Sequence, residues 1–414
     1  MNRYTLALTA LVLVALPFIF RTTFSLAFLS QVGALTVFAL SYNLLLGRLG
    51  LLSFGHAVFF GLAGFSTGHF VLALDGAGAS ALWLPLVPVF GAAVGTLAGI
   101  VVGFISVRSG GVAFAMISLG IAELVSASAL IFVSFFHGET GISFDRTLAP
   151  VMGVTFGPVR QVYWLVAGWV FIVLVFMGHL ARTPLGLAGY AVRDNAERTG
   201  FLGYRPVRVR FITFVISAAL AGIGGALYAI VFEHVGFESL GLAQTGLVLF
   251  MVYIGGTGAF FGPVLGALLV TYLHTVVSRL TPAWSFYLGL TFLLVVMFVP
   301  GGLGGLISRH IAILRERPRA LASLAAPYLA GAAVIAPTFL GLVMVVEMTG
   351  FLSSPMRMGT ATSVFGIPLD VSSLLSWIAG LVLLAVGLVL CRYTMPMVRA
   401  RFRAALPTEP GDRR

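Results

Sequence analysis

Glu123 is the carboxylate that falls well inside a long apolar run, 112–136. An acid held in a bilayer is expensive and faces a partner or a water-filled cavity. Glu123 is therefore a candidate for the lining of a translocation path; the plainer alternative is a hydrogen bond to Ser126, Ser128 or a neighbouring helix. Ser53, Phe54, Gly55 and His56 form a second candidate, a short polar interruption between two apolar runs. Irregular backbone at membrane depth is tolerated where it lines a cavity, and small residues there also serve close helix packing. His69 and His274 stand alone in apolar runs and read as packed polar contacts rather than a proton relay. His-Glu-x-x-His and paired carboxylates within one helix are absent, so catalysis is not expected. The single cysteine, Cys391, makes neither an internal disulfide nor a metal cluster, and no metal site is expected.

The segment 181–210 carries local signals of a different kind. Thr183 before Pro184 predicts a helix start, with threonine as cap and proline at the first helical position. Asp194, Asn195, Ala196 and Glu197 fit a capping box, with Asp194 as cap and Glu197 reaching back to its amide. Gly203 is placed to close the second helix in the left-handed region. Two stubby helices at the membrane surface follow, exposing charges that include Arg193, Glu197, Arg198 and Arg205. A loop that merely retains positive charge inside needs no such capping, so a docking element is the reading adopted here.

These segments sit among apolar runs at 4–20, 24–46, 55–74, 82–106, 112–136, 162–180, 211–231, 243–257, 260–279, 284–299, 325–346 and 374–391. Runs of that length are helical spans, not the alternating ten-residue segments of a barrel. Of the 24 basic residues, all arginine, 19 fall on one side when the N-terminus is placed inside; only Arg21, Arg146, Arg160, Arg279 and Arg357 fall outside. That asymmetry predicts twelve spans with both termini cytoplasmic. The run Leu6–Phe20 is read as a retained first span rather than a cleaved leader. The segment 243–257 is short enough to be a partial helix. The small residues Ala218, Ala219, Ala221, Gly222, Gly224, Gly225 and Ala226 give the 211–231 helix a face for close approach. Residues 1–307 are expected to form a membrane core, 308–324 a cytoplasmic linker, and 325–414 an appended two-helix module with a cytoplasmic tail.

Composition agrees. The chain has 414 residues, 59% of them hydrophobic and 9% charged, with a mean hydropathy of +1.08. Soluble domains average about 25% charged residues, so a soluble globule is excluded. The net charge of +11 does not imply nucleic acid, because the arginines lie in loops at membrane edges rather than in a stripe.

Four blocks resemble the permease subunits of branched-chain amino acid ABC importers, of the LivM-like type. Ser41-Tyr42-Asn43-Leu44-Leu45-Leu46-Gly47 with Gly50-Leu51-Leu52-Ser53-Phe54-Gly55-His56-Ala57 is similar to the family signature. Gly110-Gly111-Val112-Ala113-Phe114-Ala115-Met116 resembles the next block. Arg193–Gly203 followed by Phe214–Gly222 looks like the ATPase-coupling loop and its helix, although Arg198 and Thr199 stand where small alanines are common. Gly255-Gly256-Thr257-Gly258 with Phe261–Ala267 is similar to the late glycine-rich signature. The resemblance covers about 35–305 and implies a ten-span all-α core in the bacterial inner membrane. It also implies a second permease subunit, two cytoplasmic ATP-binding subunits and a periplasmic binding protein. It assigns Arg193, Asp194, Asn195, Ala196, Glu197 and Gly203 to coupling. ATP would be used by those partners and not bound here: with no lysine, the chain has no Gly-x-x-x-x-Gly-Lys loop. A sugar or urea permease, or an autonomous secondary transporter, are the alternatives.

Overall fold

The computed structural model describes residues 3–299, 301–316, 324–353, 361–364 and 367–405. They form an all-α polytopic membrane protein. The helices are α1 (Arg3–Ile19), α2 (Thr23–Asn43), α3 (Ala57–Gly76), α4 (Val87–Ser106), α5 (Gly111–Ile131), α6 (Val133–Phe136), α7 (Val159–Leu180) and α8 (Pro184–Asp194). They continue as α9 (Ala196–Phe201), α10 (Pro206–Phe232), α11 (Leu242–Gly255), α12 (Gly262–Thr275), α13 (Trp284–Phe298), α14 (Gly302–Glu316), α15 (Ala325–Ser353) and α16 (Leu374–Ala405). Among the described residues there are also two small antiparallel ladders: β1 (Ile142–Ser143) with β2 (His234–Val235), and β3 (Ala361–Val364) with β4 (Ile367–Asp370).

Among the described residues eight helices are long and apolar enough to cross a membrane, or nine if α13 and α14, bent by 46°, count as one span. Twelve spans were expected. The difference lies mainly in short helices: α11 and α12 have 14 residues each. At 1.5 Å per residue, 14 residues reach about 21 Å, short of a hydrocarbon core of about 30 Å. The run expected as 112–136 is also divided, because the helix breaks at Phe132 between α5 and α6. Within the expected linker 308–324, α14 continues through Glu316, with Arg315 in its last turn. Residues 317–323 of that linker lie outside the described residues.

The chain divides into two compact units, Met1–Tyr272 with Val295–Gly304, and Leu273–Leu294 with Gly305–Arg414. In the first, α10 is the central helix, packed on α2, α3, α4 and α8. Its buried residues run round its whole circumference, as expected of a helix enclosed by others. The expected small-residue face meets a matching one. Gly91, Gly95, Gly99 and Gly103 of α4 lie against Ala226, Gly222, Ala218 and Phe214 of α10. A Cβ on Gly95 would fall on the Ala218 carbonyl oxygen. Such backbone approach is how helices gain contact in lipid, where burial of apolar surface supplies no drive.

In the second unit α15 and α16 pack as an antiparallel pair, Gly341 against Gly380 and Leu384, Gly387 against Thr338. Glu347 accepts hydrogen bonds from Thr281 Oγ1 (2.6 Å) and Tyr287 Oη (2.8 Å). His310 Nε2 lies 2.7 Å from Tyr328 Oη. The appended helices thus share a compact unit with Leu273–Leu294 instead of standing apart from residue 325 onward.

Candidate functional site

The break after α2 gathers one set of sequence-predicted residues. The last turn of α2 widens into a π-helical segment, Leu44–Arg48, and Gly50 then turns at φ +65°. Ser53 is buried, and its carbonyl accepts from Tyr42 Oη at 3.0 Å. The amide of Phe54 donates to Ser118 Oγ of α5 at 3.0 Å. Gly55 touches the same helix so closely that a Cβ would meet the Ser118 carbonyl.

His56 is fully buried, 5.8 Å from the Phe38 ring with the planes nearly parallel, and edge-on to Tyr42 and Phe59. Its Nε2 lies 3.0 Å from Ser41 Oγ and 3.5 Å from Ser217 Oγ. Ser41 Oγ donates to the Phe38 carbonyl and Ser217 Oγ to the Ser41 carbonyl, both at 2.6 Å. Both hydroxyls therefore offer only lone pairs to the ring, so Nε2 carries the hydrogen. Nδ1 is the acceptor and remains buried without a partner. The next amide, Ala57 N, donates to Thr245 Oγ1 of α11 at 3.2 Å. Ser53, Phe54, Gly55 and His56 thus come together and tie the break to α2, α5, α10 and α11. Glu123 is not brought to them; it sits on an exposed position of α5.

The second set lies at the arginine-rich end. Thr183 caps α8 as expected, accepting from the Gly186 amide at 3.2 Å. Ala188 and Val192 are buried, which seats α8 against α10. Arg193 Nη1 donates to the Gly47 carbonyl, and the Arg48 guanidinium stands 5.6 Å over the Tyr190 ring. Both contacts fasten α8 to the π-helical end of α2.

The expected capping box is corrected. Asp194 is the last residue of α8, and Asn195 is the cap of α9, accepting from the Arg198 amide at 2.8 Å. α8 runs one residue further than the motif implied, so the cap passes to the next residue able to fill it. Gly203 takes the left-handed conformation expected of it, at φ +87°. Asp194, Asn195, Glu197 and Arg198 are exposed, and Ala196 is half-buried.

Sequence reasoning missed the apolar tip: Phe201 is 93% and Leu202 70% exposed. The signal was present in Gly200-Phe201-Leu202-Gly203, two bulky residues between glycines at the end of a capped helix. Beside them a groove of about 440 Å³ between α8 and α10 is lined by Leu185, Tyr204, Arg205 and Arg208.

The opposite end is built around Arg146, which sequence reasoning assigned only to an outer loop. Its Nε donates to the Phe156 carbonyl (2.8 Å), Nη1 to those of Ile230 and Val231 (3.2 Å each), and Nη2 to Gly157 (3.2 Å). Glu233 pairs with it at 3.4 Å. Neighbouring Asp145 accepts from the Thr147 amide at 2.7 Å, and that bond, with one from the Thr147 side chain, holds its carboxyl below the usual range. His69 Nε2 meets the Phe135 carbonyl at 2.7 Å, a packed polar contact, and His274 lies edge-on to Trp284 at 4.8 Å. Among the described residues no three His, Cys, Asp or Glu side chains gather as metal ligands would.

Apolar helices with a break after α2 and two short capped helices, α8 and α9, define a multi-pass membrane protein. Residues 24–300 match the family described as the permease component of the branched-chain amino acid transport system, and the chain belongs to that family, within the ABC transporters. It is 30% identical over 291 residues, 64% of this chain and 67% of the relative, to the high-affinity branched-chain amino acid transport system permease protein LivM of Salmonella typhimurium. LivM of Escherichia coli is 29% identical over 315 residues, 70% of this chain and 72% of that protein. The autoinducer 2 import system permease protein LsrC of Shigella flexneri is 36% identical over 147 residues, 32% of this chain and 41% of that protein. No solved structure matches. The helices α15 and α16 lie beyond the stretch that the family match covers.

Proposed function

We propose that this chain is the transmembrane permease subunit of an ATP-driven importer of branched-chain or related amino acids. It pairs with a second permease subunit, two cytoplasmic ATP-binding subunits engage α8 and α9, and a periplasmic binding protein delivers cargo at the Arg146 end. The arginine-rich end is cytoplasmic, as are both termini, in keeping with the positive-inside rule. ATP is bound and hydrolysed by the partners, and this chain carries no cofactor.

The observation that carries this reading is the apolar tip: Phe201 and Leu202 exposed on a separately capped helix among charged residues. Large exposed apolar side chains with a polar rim mark interaction sites, and positive charge retention alone requires none. α8 is fastened through Arg193 to the end of the broken span, so a push on α8 reaches the break directly. Within the membrane we assign Ser53, Phe54, Gly55 and His56 to the bracing of that break beside the path. Glu123 is exposed on the single subunit, and bare lipid would penalise it there; we assign it to a face covered by the second permease subunit.

Deleting 193–203, or replacing Glu197 with arginine, abolishes ATP-driven uptake in reconstituted importer while the chain still inserts and folds. Undiminished uptake after the deletion overturns the reading. The partial similarity to LsrC supports a second reading, a sugar-like cargo; competition for uptake by leucine against sugars separates the two. Gradient-driven flux through the chain alone in liposomes would instead indicate a secondary transporter.

A further inference from the structure

A second polar feature lies at the arginine-rich end, beside the α8 contact through Arg193. A cavity of about 480 Å³, within the range of small-molecule sites, opens where the break, the start of α5, the last turn of α8, the start of α10 and the end of α11 converge. Arg193 and Arg210 line it from different elements, and no aspartate or glutamate is among its lining residues. Arg210 Nε is buried and makes no hydrogen bond. Two arginines thus border one cavity with no acidic residue in its lining, and a buried donor without a partner is costly. A carboxylate bound there would give both arginines an anionic partner and is the group guanidinium forks bind best. Leu46, Leu51 and Val192 add an aliphatic wall. The lining offers cationic groups for an anionic head and an aliphatic wall for a short apolar tail.

We propose that this cavity binds small aliphatic carboxylates, amino acids included, with Arg193 and Arg210 holding the carboxylate. Only its place on the cytoplasmic side rests on the importer reading above. Arg193 also donates to the Gly47 carbonyl, so a bound carboxylate competes with that carbonyl for the same side chain. Occupancy then loosens α8 from the break, and product accumulated inside slows further import.

The test uses the full-length chain in phosphatidylcholine nanodiscs, with calorimetric titration of leucine, 4-methylpentanoate and 3-methylbutylamine. Leucine and 4-methylpentanoate are expected to bind and the amine, which lacks the carboxylate, is not. Arg210→Gln and Arg193→Gln each weaken binding at least tenfold, whereas Arg210→Lys, which keeps the charge, weakens it less. Binding unchanged in Arg210→Gln, or equal binding of the amine, overturns the proposal. Replacing the lipid with phosphatidylglycerol separates the sources of anion: persistence of carboxylate binding supports the proposal, and its abolition assigns the arginines to a lipid phosphate and overturns it. Uptake by the assembled importer is measured in parallel. Failed amino acid uptake with Arg210-dependent binding intact removes only the importer reading; normal uptake with no such binding removes only this site.

Discussion

At one end of the first unit Arg146 is enclosed by four backbone carbonyls and a glutamate, and the loop around it closes on β2 and the end of α10. At the other end Arg198, Arg205 and Arg208 stand exposed, Arg210 has an unpartnered buried nitrogen, and an apolar tip stands clear of the bundle. The same residue type is saturated by its own chain in one place and left open in the other. A guanidinium with all its bonds made inside the fold stiffens the backbone that supplies them. One that is left open is available to a partner or a ligand. Arginine count alone, which sets the orientation of the chain, does not separate the two uses.

Removing the enclosed arginine has the largest expected effect on folding. Arg146→Ala strips several carbonyls of donors and leaves Glu233 without its cation, a loss of about 3 kcal/mol of stability. Thermal unfolding in detergent measures it, and uptake per folded molecule stays unchanged. A stability equal to the native chain's would mean that the clamp is ornamental and the contrast between the ends false.

A smaller effect sharpens the open end. Asn195→Ala removes the cap of α9 and costs about 1 kcal/mol locally, read as lost amide protection over 196–201. Asp194→Ala stays within about 0.5 kcal/mol, as uncapped surface positions do. The reverse order would restore Asp194 as the cap.

The smallest effect is one of pH at the enclosed end. The lowered carboxyl of Asp145 contributes stability that is present above the ordinary aspartate pKa of about 3.9 and is lost as pH falls through its lowered folded value. Asp145→Asn flattens the acid limb of the stability profile below about pH 4 and leaves neutral pH nearly unaffected. An unchanged acid limb would show the Thr147 bonds to be without consequence.

Features fixed by neighbours in sequence were legible. Thr183 with Pro184, and Gly203 at its left-handed position, needed only local chemistry. So did the small face of α10, whose four-residue spacing is visible in the chain, although its partner glycines on α4 had not been singled out. Asn195 was missed by one position because two adjacent residues are both good caps, and α8, held at Arg193 by the Gly47 carbonyl, extends through Asp194. Span length was less legible: the runs 243–257 and 260–279 form helices of only 14 residues each, shorter than a full crossing needs. Arg146 gave no sign of its role: an arginine in an outer loop reads as solvated, and the carbonyls that enclose it come from residues 10 to 85 positions away. The union of Ser41, His56 and Ser217 was hidden for the same reason.

Phe201→Asp tests the docking of the open end most directly. The side chain is already in solvent, so the variant should unfold at the temperature of the native chain. In proteoliposomes of the assembled importer its ATP-driven uptake should fall more than tenfold. Native uptake by a fully folded Phe201→Asp protein would contradict the account.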